Sequence, residues 1–265
     1  MMISEPAPEK RRRRGVYLLP NLFTTAALFC GFYAIIAALQ GRFEPAAVAV
    51  FVAMVLDGLD GRVARLTHTE SEFGAEYDSM ADLISFGLAP ALIMYEWALS
   101  TMIGMGPFLS KLGWLTAFFY TVMAALRLAR FNVQHGSTDK RYFIGLPSPS
   151  AAAIVSGTVW FGTDLGLTGS QLLWPALIIT VGAGALMFSK ILYFSFKQVD
   201  LHKRVPFASV LLVVLTLVVI SIDPPKVLFC GFLVYVLSGP ALFLFRLRQR
   251  ARRRARAPNE PAGPK

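Results

Sequence analysis

Four aspartates, Asp57, Asp60, Asp78 and Asp82, are concentrated in one stretch of a chain whose other long segments are almost uncharged. Asp57 and Asp60 are three apart, and Asp78 and Asp82 are four apart. On a helix each pair shares one face, with Cβ atoms roughly 5–6 Å apart. Two such pairs, on two helices joined by a turn, bring four carboxylates to one point. At a membrane edge those charges repel one another and are costly to desolvate unless a cation lies between them. The spacing therefore predicts a site for a pair of hard divalent ions with oxygen ligands.

The residues beside the acids extend this chemistry. Gly58, Gly61 and Ala64 leave the helix surface without bulk, so a large ligand can approach the backbone there. Arg65 adds a fixed cation at the rim, suited to phosphate. Acids, bare backbone and arginine together predict a metal-bound phosphate ester, with the metals neutralising phosphate oxygens and the leaving group. A carboxylate spared from coordination can take a proton from an attacking hydroxyl.

The elements that must position these groups are membrane helices. The chain has 265 residues, 55% hydrophobic, with a mean hydropathy of +0.55, too apolar for a soluble domain of that size. A span needs about 20 apolar residues. Eight are predicted, over 17–40, 44–63, 77–100, 107–129, 149–165, 171–194, 206–223 and 226–246; the fifth is short and rich in Gly, Ser and Ala. The predicted fold is an all-α polytopic membrane helix bundle. Residues 1–16 form a disordered, basic N-terminus, 17–246 a single integral membrane domain, and 247–265 a basic tail.

The net charge of +10 could point to nucleic acid, but its placement argues otherwise. With the N-terminus inside, only Arg42, Lys111 and Lys226 fall at the outer face. That is the positive-inside pattern, and it predicts both termini and the aspartates on the cytoplasmic side. Lys10–Arg14 read as a topology determinant beside anionic lipid, and the N-terminal apolar run is too long for a cleaved signal peptide. Cys30 and Cys230 read as packing residues, and His68, His135 and His202 as loop residues without metal-ligand spacing.

Pro20 and Asn21 interrupt the start of the first helix, where Asn21 and Thr24 share a face as a cap or packed polar pair. The third helix is expected to start near Ala75, with Asp78 in its favourable N-terminal field, and Ser85, Gly87 and Pro90 loosen its middle. Arg127 and Arg130 share a face at the inner end of the fourth span, aimed at the surface that carries the acids. Gly145 to Pro149 predict a constrained turn. Asp164 reads as a solvated loop charge, and the last three spans as scaffold.

At this point the residues resemble a family. Asp57-Gly58-Leu59-Asp60-Gly61-Arg62-Val63-Ala64-Arg65, then Gly74, Asp78 and Asp82, fit the CDP-alcohol phosphatidyltransferase signature, D-x-x-D-G-x-x-A-R-(eight)-G-x-x-x-D-x-x-x-D, at all eight fixed positions. The span arrangement resembles that family's six-helix core with two helices added. EYDSMADLISFGLAPA, RLARFN and YFIGLPSPSAAA resemble the bacterial membrane-embedded phosphatidylserine synthases within it.

The resemblance implies transfer of a phosphatidyl group from CDP-diacylglycerol to L-serine at the bacterial inner membrane, giving phosphatidylserine and CMP. It implies that Asp57, Asp60, Asp78 and Asp82 bind two divalent cations, Mg²⁺ or Mn²⁺, with Asp82 also the general base. It places Asn21, Thr24, Gly61, Ala64, Arg65 and Gly74 at the CDP site, and a homodimer is common in the family. The serine carboxylate calls for a cation, which topology assigns to Arg127 or Arg130, with Asn132 and Ser148 reading the ammonium or hydroxyl. Three other readings stay open: a sister enzyme using glycerol phosphate or inositol phosphate, an ion transporter with acids near the bilayer midplane, and a scaffold whose aspartates only cap helices.

Overall fold

The computed structural model describes residues 18–67, 71–133, 142–194 and 207–256. Lys10–Arg14, His68, His135, Lys140, Arg141, His202 and residues 257–265 lie outside the described residues. The chain runs α1 (Leu18–Leu39), α2 (Phe43–Thr67), α3 (Glu72–Asp82), a π-helical turn (Leu83–Leu88), α4 (Ala89–Trp97), a 3-10 segment (Leu99–Met105) and α5 (Pro107–Val133). It continues through β1 (Tyr142–Ile144), α6 (Ser148–Asp164), α7 (Leu173–Phe188), β2 (Leu192–Phe194), α8 (Phe207–Ile222) and α9 (Pro224–Arg256).

The bundle is helical, as its hydropathy requires. Asn21–Leu39, Pro107–Val133 and Pro224–Phe245 are long and apolar enough to cross a membrane, and Glu72–Trp97 with Leu99–Met105, joined at a 45° bend, counts as a fourth when the pair is taken as one broken span. α2 is interrupted by its own charges, and α6 and α7 are 17 and 16 residues long, so length and hydropathy alone do not qualify them.

α1 and α2 pack side by side after a tight turn at Gly41, whose φ of +72° is open to glycine at little cost. Their interface is built from Ala27, Ala34, Ala37, Ala38, Ala46, Ala49 and Ala53, small residues that let membrane helices approach closely. The same logic explains α6. Its Gly, Ser and Ala content makes a weak span by hydropathy, yet every residue from Ala151 to Val159 is buried, and α6 packs against α2, α4, α7 and α9. Small side chains here mark a central position in the bundle.

The loosened middle of the third span is the π-helical turn. Pro90 has no N–H to return to the Phe86 carbonyl one turn back. Tyr120 on α5 supplies that donor, its hydroxyl bonding the Phe86 carbonyl at 3.0 Å. Ser85 Oγ donates to the Ala27 carbonyl at 3.1 Å and sits where Gly31 leaves room for it. The irregular backbone is thus satisfied from α5, as the interior of a bilayer demands, and Ser85 ties the turn to α1.

Three details differ from the sequence reading. α3 begins at Glu72, not near Ala75, because Ser71 caps it by accepting from the Gly74 N–H at 3.0 Å. Asp164 is not a lone solvated charge: Lys226 Nζ reaches it at 3.4 Å and also binds Asp223. Cys230 is exposed, while Cys30 is partly buried. One small element was not anticipated, a two-stranded antiparallel ladder of β1 and β2 that pairs Ile144 with Leu192. It leads into the expected turn, where Gly145 has a φ of +83°.

Candidate active site

α2 carries Asp57 and Asp60 in its last turns, and α3 carries Asp78. The two helices bring these three carboxylates together, with one oxygen of each within 4.8 Å of the others. Asp82, one turn further along α3, stands outside that trio. It lies within electrostatic range of Asp57, Asp78 and Arg127. Asp60 is buried at 5% exposure, and the other three are partly buried.

α1 forms one wall. Thr24, 4% exposed, donates to Asp60 Oδ2 at 2.8 Å. Thr25 Oγ1 lies 2.9 Å from the Tyr77 hydroxyl, which ties α1 to α3. Asn21 faces Gly74 closely enough that a Cβ there would meet Asn21 Oδ1 at 3.4 Å. Gly58 and Gly61 border open space, and Arg65 is exposed in the last turn of α2. Ala64 is partly buried between them and the helix end.

α5 and α6 form the opposite wall. Arg127 Nη1 donates to Ser148 Oγ at 2.5 Å, and Ser148 is fully buried at the start of α6. Asn132 Nδ2 donates to Ser79 Oγ at 3.1 Å, which holds the end of α5 against α3 beside Asp78. Arg130 behaves differently from its neighbour. Its Nη2 donates to the Ile144 carbonyl at 2.8 Å and its Nη1 to the Phe188 carbonyl at 3.1 Å, with the guanidinium 5.2 Å from the Phe188 ring centroid. Arg127 faces the acids; Arg130 binds backbone on the far side.

A family model described as CDP-alcohol phosphatidyltransferase matches residues 17–186. The chain belongs to the CDP-alcohol phosphatidyltransferase family. A Helicobacter pylori protein named CDP-diacylglycerol–serine O-phosphatidyltransferase is 36% identical over 230 residues, covering 87% of this chain and 92% of its own length. Proteins of the same name from Bacillus subtilis and Methanocaldococcus jannaschii are each 34% identical, covering 68% and 72% of this chain and 92% and 80% of their own lengths.

The family match ends at residue 186, and a polar residue beyond it reaches toward Arg127. Tyr235 on α9 lies within electrostatic range of Arg127. The sequence reading took α9 as scaffold, because one tyrosine in an apolar span carries no spacing signal. Ser79, Tyr77 and Tyr120 were also missed. Each is a single polar residue whose partner sits on another helix.

The donor set of this family site fits divalent cations. The three grouped ligands are all carboxylates, with no sulfur or imidazole among the described residues of the group. Hard oxygen donors of that kind select Mg²⁺-like or Mn²⁺-like ions over softer metals. They come from two helices, so neither pair has to wrap around an ion alone.

Proposed function

We propose that this chain transfers the phosphatidyl group of CDP-diacylglycerol to L-serine, releasing CMP. The observation that carries the reading is the trio Asp57, Asp60 and Asp78, closed to within 4.8 Å between a Thr24-bearing wall and an Arg127-bearing wall. The names of the relatives supply the acceptor.

Asp57, Asp60, Asp78 and Asp82 would hold two divalent cations, Mg²⁺ or Mn²⁺. Such ions, when bound, neutralise charge on phosphate oxygens and on the departing group. Thr24 orients Asp60 through its hydrogen bond, so that one carboxylate oxygen is held and the other is left for a ligand. Gly61, Ala64 and Gly74 present backbone to the cytidine diphosphate, Arg65 meets its phosphates from the rim, and Asn21 borders the same face. Asp82 takes the proton from the serine hydroxyl. The serine oxygen then forms a bond to the phosphorus that bears diacylglycerol, the pyrophosphate P–O bond breaks, and CMP leaves with the electron pair.

On the acceptor side, Arg127 and Ser148 face the base, with Asn132 close by on α3's flank. The domain reading of residues 17–246 as one membrane unit of eight helices, with 1–16 and 247–265 as cytoplasmic ends, belongs to the same proposal. So do a bacterial inner-membrane location with the acids facing the cytoplasm, and a homodimer. The ion pair between Lys226 and Asp164 lies at the opposite end of α6 from Ser148. Asp164 ends α6 and Ser148 begins it, so about 24 Å of helix rise separates that pair from the acceptor wall.

The deciding experiment measures CMP release from CDP-diacylglycerol by the full chain in mixed micelles. Release is expected only with L-serine and a divalent cation present. Release driven by glycerol phosphate and not by serine would move the chain to a sister activity.

A further inference from the structure

Arg127 carries a buried donor that no neighbour takes up. Nη1 goes to Ser148, while its Nε is buried without a hydrogen-bond partner. A buried charged donor left without an acceptor is destabilising, so a site of this kind is built for a ligand oxygen. Ser148 at the start of α6 touches this guanidinium, and Asp82 at the end of α3, Arg130 and Tyr120 on its own helix α5, and Tyr235 on α9 lie within electrostatic range of it.

Tyr235 is held there by a chain of contacts rather than by chance packing. Tyr193 in β2 is buried and donates to the Val236 carbonyl at 3.0 Å. Its ring sits 5.6 Å from the Tyr235 ring, and Gly239 one turn on leaves the room that Tyr193 occupies. β2 pairs with β1, and β1 leads through Gly145 to Ser148. Gly145 N–H bonds the Ile191 carbonyl at 2.8 Å and Leu146 N–H the Leu186 carbonyl at 2.9 Å. One ladder therefore sets both Ser148 and Tyr235 around Arg127.

We infer that Tyr235 and Arg127 together form the carboxylate subsite of the amino-acid acceptor, which makes Tyr235 a specificity-determining residue supplied from outside the family-matched segment. The inference rests on the proposed serine transfer. Two arguments support it. In serine the hydroxyl and carboxylate are separated by two carbons, so whatever holds the carboxylate must neighbour the base, and Arg127 neighbours Asp82. Arg130, the next cation on α5, is committed to the Ile144 and Phe188 carbonyls. One guanidinium N–H and one uncharged phenol suit a monoanionic carboxylate better than a phosphate dianion, which selects against phosphorylated alcohols.

The test is steady-state kinetics of the full chain carrying Tyr235→Phe and, separately, Tyr235→Ala, with serine and CDP-diacylglycerol varied in turn. Ethanolamine, which lacks the carboxylate, serves as the alternative acceptor. Tyr235→Phe keeps the ring packing and is expected to raise the serine KM about tenfold, the worth of a hydrogen bond to a charged group, while the CDP-diacylglycerol KM stays within about twofold. The preference for serine over ethanolamine should shrink by the same factor, and Tyr235→Ala should shrink it further. An unchanged serine KM in Tyr235→Phe, or an equal rise in both KM values, overturns the inference alone. A wild-type chain that releases CMP with glycerol phosphate but not with serine overturns the proposed function as well.

Discussion

Thr24 on α1 donates a 2.8 Å hydrogen bond to Asp60 on α2, across 36 positions of sequence, and both residues are buried. A buried carboxylate with one oxygen fixed has only the other free to turn toward a ligand. The donor comes from the opening turns of the chain's first described helix, so α1 orients a group that α2 carries.

Replacing Thr24 with valine keeps the shape and removes the donor. Activity is expected to fall about tenfold, corresponding to a hydrogen bond worth about 1.4 kcal/mol to the reactive geometry. Thr24→Ser should restore most of it. Full activity in Thr24→Val, measured as serine-dependent CMP release, would remove Thr24 from the site.

The four aspartates should separate into two kinds. Asp82→Asn is expected to lower turnover at least about 100-fold, the usual worth of a positioned general base. The chain should still be stabilised by Mn²⁺ in a thermal melt, though less than wild type, because the trio of Asp57, Asp60 and Asp78 is intact while one of the four proposed ligands is lost. Asp78→Asn should lose both activity and that stabilisation, which for a site at 100 times its Kd is about 2.7 kcal/mol. Chelator should reproduce the loss in wild type and leave the Asp78→Asn melt unmoved. Equal Mn²⁺ responses in the two variants would contradict the division.

Arg130 is expected to act on architecture. Arg130→Gln removes the bonds that join α5 to the Ile144 and Phe188 carbonyls. It should lower the melting temperature and turnover together. The ratio of serine KM to CDP-diacylglycerol KM should not change. Lysine cannot span both carbonyls with a planar fork, so Arg130→Lys should rescue only in part. A selective rise in serine KM in either variant would return Arg130 to the acceptor pocket.

Lys226 joins Asp164 and Asp223 at the end of α6 far from Ser148. The hydrogen bond from Lys226 holds the Asp223 carboxyl below the usual carboxylate range. A group depressed in the folded state contributes stability above its unfolded value and loses it as pH falls through the folded value. Acid destabilisation from this group is thus expected only below about pH 4. The groups are exposed, so Lys226→Met should shift the melting temperature slightly at pH 7 and leave turnover unchanged. A large loss of CMP release would mean that this end of the bundle communicates with the site.

Much of the site was legible because its information is local. Asp57 and Asp60, or Asp78 and Asp82, share a helix face by spacing alone, and Gly61 and Ala64 beside them mark bare backbone. Apolar runs and basic residues located most helices for the same reason, since hydropathy is a property of contiguous sequence. The exceptions are instructive. α6 looked weak by hydropathy because its small residues serve helix contact, and the α3 start moved because Ser71 is a cap whose effect is confined to one turn.

What the amino-acid order determined by itself was the set of acids, the helices that bear them and the family to which the chain belongs, because helical periodicity and motif spacing involve only neighbours along the chain. Tertiary structure alone decided which arginine keeps a buried donor without a partner. Arg127 and Arg130 are indistinguishable by spacing, type and helix face, but Arg130 meets two backbone carbonyls and Arg127 meets one hydroxyl. It also decided that Tyr235, more than 150 positions from Asp82, lies within electrostatic range of the same arginine. Hydrogen-bond capacity is consumed or left over by the neighbours that packing brings, and those neighbours belong to other helices.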